Sequence, residues 1–412
     1  MRRLKALEDK MNDQRPNILY ITGHCPFSPS YGSQQRILNI GRLLKQVGKV
    51  SLVIASCDEY GREELDRTKK EFDLKRIIRF LPSPRLHFIN RIRHELDPSF
   101  LKTYYFHASK PDREFMLRMI DEHDVVWIHN VRVANAFQIN RWAHSVFDVD
   151  DLPSRFYLSS ARASSNIKRR LLNFRMSLIW WRRERLFRNR FDVIIVCSRD
   201  DQRYLGDFSR IHVIPNCFTH PPQEPHYAPS KPFHLGFIGN LNFMPNRFGI
   251  EWFIRDVWPL IKRDVPDAHL HLVGKGSDGD IAHLGPDIEG LGWVEDTSLE
   301  IASWSAMIVP IHMGSGTRVK IAEGFSRKCP IVSTSLGAFG YDVVNGEDIL
   351  IADNAQDFAS ACILLLRDRL LGSRISENAW GKFLKYWTWD SISESVFNAV
   401  KMCLNRKNNI ES

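Results

Sequence analysis

The chain has 412 residues, of which 43% are hydrophobic and 25% charged, enough for two domains each with its own core. No run approaches the roughly 18 apolar residues of a spanning helix, and no apolar stretch follows the Met-Arg-Arg start, so neither a membrane span nor a secretory leader is expected. Seven cysteines are scattered without a C-x-x-C pair or zinc spacing, which predicts free thiols in a reducing cytoplasm and no metal site. The net charge of +9 is uneven: residues 1–218 carry 39 Lys/Arg against 25 Asp/Glu, and residues 219–412 carry 18 against 23. One half is therefore expected to face something anionic. Nucleic acid is set aside, because no zinc finger, aromatic RNA-binding pattern or recognition helix is present.

After a charged start, Asn17 to Thr22 reads as a buried strand running into the Gly- and Pro-rich loop GHCPFSPSYGSQQR. A helix is predicted from about Gln35 to Val47 and a strand from Val50 to Ala55, the opening of a parallel sheet. Further strands are expected at 125–129, 145–149, 193–197 and 212–214. Residues 218–232 carry five prolines and no periodicity, and read as a hinge. The pattern then restarts: strand 234–238 ending at Gly239, helix about 248–262, strand 269–273, strand 306–310, a Gly-rich loop with a helix, and strand 330–333. Two such series imply an α/β chain of two Rossmann-like, doubly wound domains facing a central cleft, residues 1–217 and 233–389, with ligands beyond the carboxyl ends of the strands.

The stretch AMIVPIHMGSGTRVKIAEGFSRKCPIVST, Ala306 to Thr334, concentrates the chemistry. Gly314 and Gly316 let the backbone approach a ligand, and Thr317 is placed to cap the following helix, whose free amides suit a diphosphate. Ser315 lies between the glycines. Arg318 and Lys320 add positive charge, and Glu323, two turns in, suits the ribose hydroxyls of a nucleotide. The competing reading is an ordinary βα turn followed by a helix-surface Lys320–Glu323 pair.

GSGTRVKIAEGF, followed by KCPIVSTSLGA and NGEDILIADN, resembles the donor-binding core of family 4 retaining glycosyltransferases of the GT-B type. The match runs from about Gly236 to Phe358. The first half is similar more loosely, through Pro29, Gly32 and Arg36, then VVWIHN, FDVDDLPSRFY and IIVCSRDD, with PNCF (215–218) like the family's domain junction. The resemblance is greatest to exopolysaccharide-associated sugar transferases of bacteria. It implies that Glu323 binds the ribose, that the first glutamate of the E-x7-E signature is replaced by Ser315, and that the usual Arg and Lys after the domain's first strand are replaced by Asn240 and Asn246. Diphosphate charge then falls to Arg318, Lys320 and the loop backbone, with Arg247 a further candidate and Gly239–Asn240 lining the site. The nucleotide base is expected against the backbone near residues 292–295. The donor implied is a UDP- or GDP-sugar, with no cofactor, and the acceptor a glycan or lipid-linked hydroxyl. The last helix, after Trp389, is expected to return to the first domain. A sugar-nucleotide epimerase or hydrolase, and a non-catalytic scaffold of the same fold, are the rival functions.

Gly32 and Arg36 are read as bordering the cleft, in contact with donor phosphates or acceptor, against a surface cation as alternative. His129, at a strand end, is read against the sugar ring, with a structural histidine as alternative. Asp148, Asp150 and Asp151 are read as strand-end acids near the acceptor, Asp151 being the catalytic candidate and a D-x-D metal site the lesser reading. Residues 167–191 hold nine Lys/Arg and one acid with Trp180 and Trp181, the composition of an interfacial helix. A cytoplasmic enzyme held at the inner face of the plasma membrane by anionic lipid is expected, against a helix simply packed on the sheet.

Overall fold

The computed structural model describes residues 15–28, 32–101, 105–206, 209–283, 285 and 287–411. The start β1 (Asn17–Thr22), α1 (Gly32–Val47) and β2 (Lys49–Ser56) is followed by β3 (Asp73–Arg79). A short antiparallel pair, β4 (Leu81–Pro82) with β5 (Phe106–His107), brackets α2 (Phe88–Leu96). Next come β6 (Val125–His129), β7 (Ser145–Val149), α3 (Pro153–Ala163), α4 (Ile167–Glu184), β8 (Val193–Val196) and β9 (Ile211–Val213). The larger strands form one parallel sheet in the order β3-β2-β1-β6-β7-β8-β9. Helices cover such a sheet on both faces, so its strands are continuous apolar runs: Ile18, Leu19, Tyr20 and Ile21 are all fully buried.

The second series is β10 (His234–Ile238), β11 (His269–Val273), β12 (Ile288–Gly290), β13 (Ala306–Val309), α5 (Val319–Ser326), β14 (Ile331–Ser333) and β15 (Leu350–Ile351). These strands form a parallel sheet ordered β12-β11-β10-β13-β14-β15. The chain closes with α6 (Trp389–Glu411).

Two compact units result. The first is Met1–Ser154, Met176–Ile214 and Ser393–Ser412; the second is Arg155–Arg175 and Pro215–Ile392. The Pro-rich segment folds with the second unit, where Tyr227 Oη donates to the Ser305 carbonyl at 3.0 Å. The end of α6 joins the first unit, with Lys407 Nζ 3.1 Å from Asp124 and Arg406 donating to the Asp192 carbonyl. Residues 155–175 depart from a simple division at 217: Ser159 hydrogen-bonds Gly314, and the Arg155 guanidinium stacks on Phe339.

The helix expected at 248–262 is not continuous. It is Met244–Trp252, a π-helical turn Phe253–Val257, then Trp258–Asp264. Pro259 has no N–H to return to the fourth carbonyl before it, so the ladder widens at that point.

Gly236, midway along β10, is set by packing. A methyl group there would fall inside the indole of Trp304, a fully buried side chain. Gly236→Ala is expected to lower stability by about 1–3 kcal/mol through overpacking, read as a lower urea midpoint with unchanged slope.

Candidate active site

In each sheet the order reverses beside the first strand, between β1 and β6 and between β10 and β13. Loops on either side of such a point leave the sheet in opposite directions and open a crevice at the carboxyl ends. Gly239, after β10, and the 311–318 loop, after β13, flank the second of these points.

Gly314 and Gly316 have φ of 125° and 69°, values that favour glycine. Ser159 Oγ accepts from the Gly314 N–H at 2.9 Å and shares its one proton between the carbonyls of Gly314 and Phe156, each at 2.9 Å. Arg318 Nη1 donates to the carbonyl oxygens of Ser315 and, at 3.0 Å, Gly316. In a trans peptide the N–H opposes the C=O, so the amides of Gly316 and Thr317 point away from that guanidinium. Among the described residues, the N–H groups of Ser315, Gly316 and Thr317 have no protein acceptor. Thr317 Oγ1 is buried and has no partner. Tyr341 Oη donates to the Arg318 carbonyl at 2.9 Å and fixes the start of α5. Such a run of outward amides is an anion-binding concavity.

Lys320 is half-buried, with Nζ 3.9 Å from the Phe237 ring centroid and 3.0 Å from Asn246 Oδ1. Burial, then the neighbouring Arg318 charge, pushes the Lys320 ammonium well below the usual lysine pKa. Gly239 admits this lysine: a side chain there would meet Lys320 Nζ and Asn246 Nδ2, each at 2.8 Å. Asn246 also donates to the Asn240 carbonyl at 2.9 Å, so Asn240, Asn246 and Lys320 form one connected group. Glu323, half-buried, accepts from Thr297 Oγ1 at 2.7 Å, and burial raises its carboxyl pKa.

In the first unit, Arg36 and Asp148 are 1% and 0% exposed and paired: Nη2 to Oδ1 is 2.7 Å, and Nε lies 3.1 and 3.0 Å from the two carboxylate oxygens. Nη1 donates to the Ile214 carbonyl at 3.0 Å. Burial opposes the guanidinium charge, but Asp148 holds its pKa above the usual value. His129 is fully buried, with Nε2 3.9 Å from Asp150 Oδ2 and no hydrogen-bond partner for Nδ1. Burial pushes its imidazole pKa below the usual value against the pull of Asp150 and Asp148, so it is neutral at pH 7. Asn130, at φ 81°, turns the chain directly after His129 and caps the next helix through Arg132 N. Asp151 is exposed.

Residues 232–368 match the family model described as glycosyl transferases group 1. A 44.6 kDa protein in the cps region of Klebsiella pneumoniae is 22% identical over 403 residues, covering 92% of this chain and 98% of that one. Anabaena HepE, solved in complex with UDP and glucose, is similar with a TM-score of 0.62 at 14% identity, over 94% of this chain and 99% of its own. Sucrose-phosphate synthase from Thermosynechococcus elongatus is similar at 0.66 and 15% identity, over 97% and 100%. Over residues 232–368, then, the chain is similar to group 1 glycosyltransferases. Its fold is GT-B, with two Rossmann-like α/β domains.

The structure brings Gly239, Asn240, Lys320 and Asn246 into one group, and Gly314–Arg318 into another on the adjoining loop. Several sequence expectations need correction. Thr317 does not cap α5: the cap position is Arg318, without a side-chain cap bond, because the loop continues one residue further around the guanidinium. Lys320 and Glu323 are not a surface pair, since each turns inward to its own partner, Asn246 and Thr297. Arg247 does not stand ready for a diphosphate: Glu251 at 2.8 Å and Asp280 at 2.5 Å already hold it. Arg36 is neither a surface cation nor a group open to ligand, because its guanidinium is buried against Asp148. Asp148 lies near the end of β7 as expected, but it is buried and engaged by Arg36 rather than open to an acceptor. Gly32 opens α1, and Pro29 lies outside the described residues. Ser159 and Thr297 belong to no motif that the sequence displays; only the fold puts them against Gly314 and Glu323.

Removing one partner of the buried pair leaves an uncompensated charge. Arg36→Met is expected to cost about 3–5 kcal/mol, measured by urea unfolding, and the double change with Asp148→Leu is expected to recover much of that loss.

Proposed function

We propose that this protein is a glycosyltransferase that moves a sugar from a UDP- or GDP-sugar to a hydroxyl of a glycan or lipid-linked acceptor, with retention and without a metal ion. The observation that carries this reading is the loop of outward amides at Ser315–Thr317, shaped by Arg318 and flanked by Lys320. The bond from the anomeric carbon to the diphosphate oxygen breaks, and a bond from that carbon to the acceptor oxygen forms on the same face. The departing phosphate oxygen takes the acceptor proton. Fixed dipoles and cations stabilise the charge that develops on the diphosphate. The Ser315–Thr317 amides and Lys320 hold the phosphates, Arg318 fixes the shape of their loop, Gly239 and Asn240 line the site, and Glu323 accepts from the ribose hydroxyls.

The second unit binds the donor and the first unit the acceptor, with His129 and Asp151 on the acceptor side and Gly32 at the entry of α1. Arg36 positions Asp148 beneath them. Solved relatives support the donor class: HepE was crystallised with UDP-glucose, and a TarM variant from S. aureus with UDP and a GlcNAc-glycerol. The Klebsiella relative in the cps region supports a place in cell-surface polysaccharide synthesis. The enzyme works in the cytoplasm at the inner face of the plasma membrane. Among the described residues no helix is long and apolar enough to cross a membrane.

A thermal-shift panel with UDP, GDP, CDP, ADP and dTDP, with and without EDTA, tests the donor site. One of UDP or GDP at 100 times its Kd is expected to stabilise by about 2.7 kcal/mol, to ignore EDTA, and to lose most of its effect in Glu323→Ala. No shift with any nucleotide would remove the donor reading.

Lys320 adds a pH signature. An arriving diphosphate favours the ammonium, so binding raises the depressed Lys320 pKa and takes up a proton between the free and bound values. Isothermal titration over a pH series below the usual lysine range, in buffers of different ionisation enthalpy, is expected to show net proton uptake for wild type within that range. Lys320→Gln is expected to show none.

A further inference from the structure

Helix α4 leaves an apolar stripe exposed. Ile167, Leu171, Phe174, Leu178 and Trp181 recur at spacings of four and three, which sets them in one stripe along the helix. All five are exposed, from 41% at Trp181 to 62% at Ile167 and Leu171. The face turned inward carries Ser177, Ile179, Arg183 and Glu184, three of them polar. Ser177 Oγ donates to the Ser154 carbonyl at 2.9 Å, and Glu184 accepts from Ser154 N at 2.8 Å. Hydrogen bonds fix which side of α4 faces the sheet, and that side leaves the apolar stripe in water.

A second element makes the same exposure. In α2, Phe88, Ile92 and Leu96 lie four residues apart and are 75%, 42% and 62% exposed, with Ile89 beside them at 77%. Arg183 ties the two helices together, with Nη2 donating to the carbonyls of His94 at 2.6 Å and Phe100 at 3.1 Å. Single exposed hydrophobics are ordinary, but two neighbouring stripes are not.

The charge around the stripes indicates what covers them. Lys168, Arg169, Arg170, Arg182 and Arg185 are exposed on or just after α4, and Arg85, Arg91 and Arg93 on or just before α2. The only acid within residues 167–191 is Glu184, which is buried. An apolar centre ringed by cations matches an anionic lipid surface, with side chains entering the acyl boundary and guanidinium groups meeting headgroups. A protein partner would need to supply acids around an apolar core instead.

We infer that α2 and α4 together form the face by which this enzyme docks on an anionic bilayer, with α2 supplying the most exposed apolar residues. This rests on the membrane location given under the proposed function, and it assigns that location to particular side chains on two helices.

Vesicle sedimentation of the full chain tests it, using phosphatidylcholine alone and phosphatidylcholine with phosphatidylglycerol. Wild type is expected to sediment with the anionic vesicles only, less so as salt rises. Leu171→Glu/Leu178→Glu and Ile89→Glu/Ile92→Glu are each expected to weaken partitioning at least tenfold. Changing Lys168, Arg169, Arg170 and Arg182 to Gln is expected to weaken it on the order of a hundredfold or more, at roughly fivefold per charge. The nucleotide-induced thermal shift is expected to persist in all three variants, which shows that they are folded and separates this test from that of the donor site. Equal sedimentation of wild type and variants would place docking elsewhere and overturn the inference. So would a wild type that ignores anionic vesicles, or one that is a stable dimer in solution dissociated by the same changes.

Discussion

At the β10–β13 switch point, connections leave the sheet in opposite directions, and the donor site depends on that gap. Strands buried on both faces can offer only their ends to a ligand. Backbone amides, a lysine and a carboxylate are therefore delivered by the segments that begin where the strands stop. Gly236 shows how tightly the body of the sheet is packed beneath them, since the Trp304 indole occupies the space a side chain would need. The first sheet repeats the arrangement at β1 and β6, with His129 at the strand end.

The proposed donor site gathers positive charge and outward amides. Lys320 sits near Arg318, over an aromatic ring, with a neutral asparagine as its hydrogen-bond partner. The family resemblance places a lysine at the position occupied by Asn246. Here the ammonium comes from α5 and meets that asparagine, so the charge reaches the same neighbourhood from a different element. Arg318 has a different task from the one its charge suggests: by holding two carbonyls it turns the next amides outward. An anion supplies both what the lysine lacks and what the amides lack.

Much of this is legible in the amino-acid sequence alone. Buried parallel strands read as uninterrupted apolar runs, so the limits expected for β1, β6, β7, β10 and β11 are those observed. The Gly314–Glu323 stretch stands out because two glycines, two cations and a carboxylate are compressed into one loop and helix. What escapes is what distance along the chain conceals. Arg36 meets Asp148 across 112 residues and Ser159 meets Gly314 across 155, and no periodicity encodes either pairing. The π-helical turn at Phe253 escapes for another reason: Pro259 is in plain view, but apolar spacing alone does not register a missing N–H. Helix α4 is only half legible, because its basic and aromatic composition is visible while the inward direction of its polar groups is not.

The single hydroxyl of Ser159 takes a proton from the Gly314 amide and lies 2.9 Å from the carbonyls of both Gly314 and Phe156. A hydroxyl has one proton to give, so those two carbonyls share it. Alanine at this position would strand the two Gly314 groups together, whereas threonine would keep the hydroxyl. The curvature of the loop is thus set in part by a residue that lies 155 positions away in the chain.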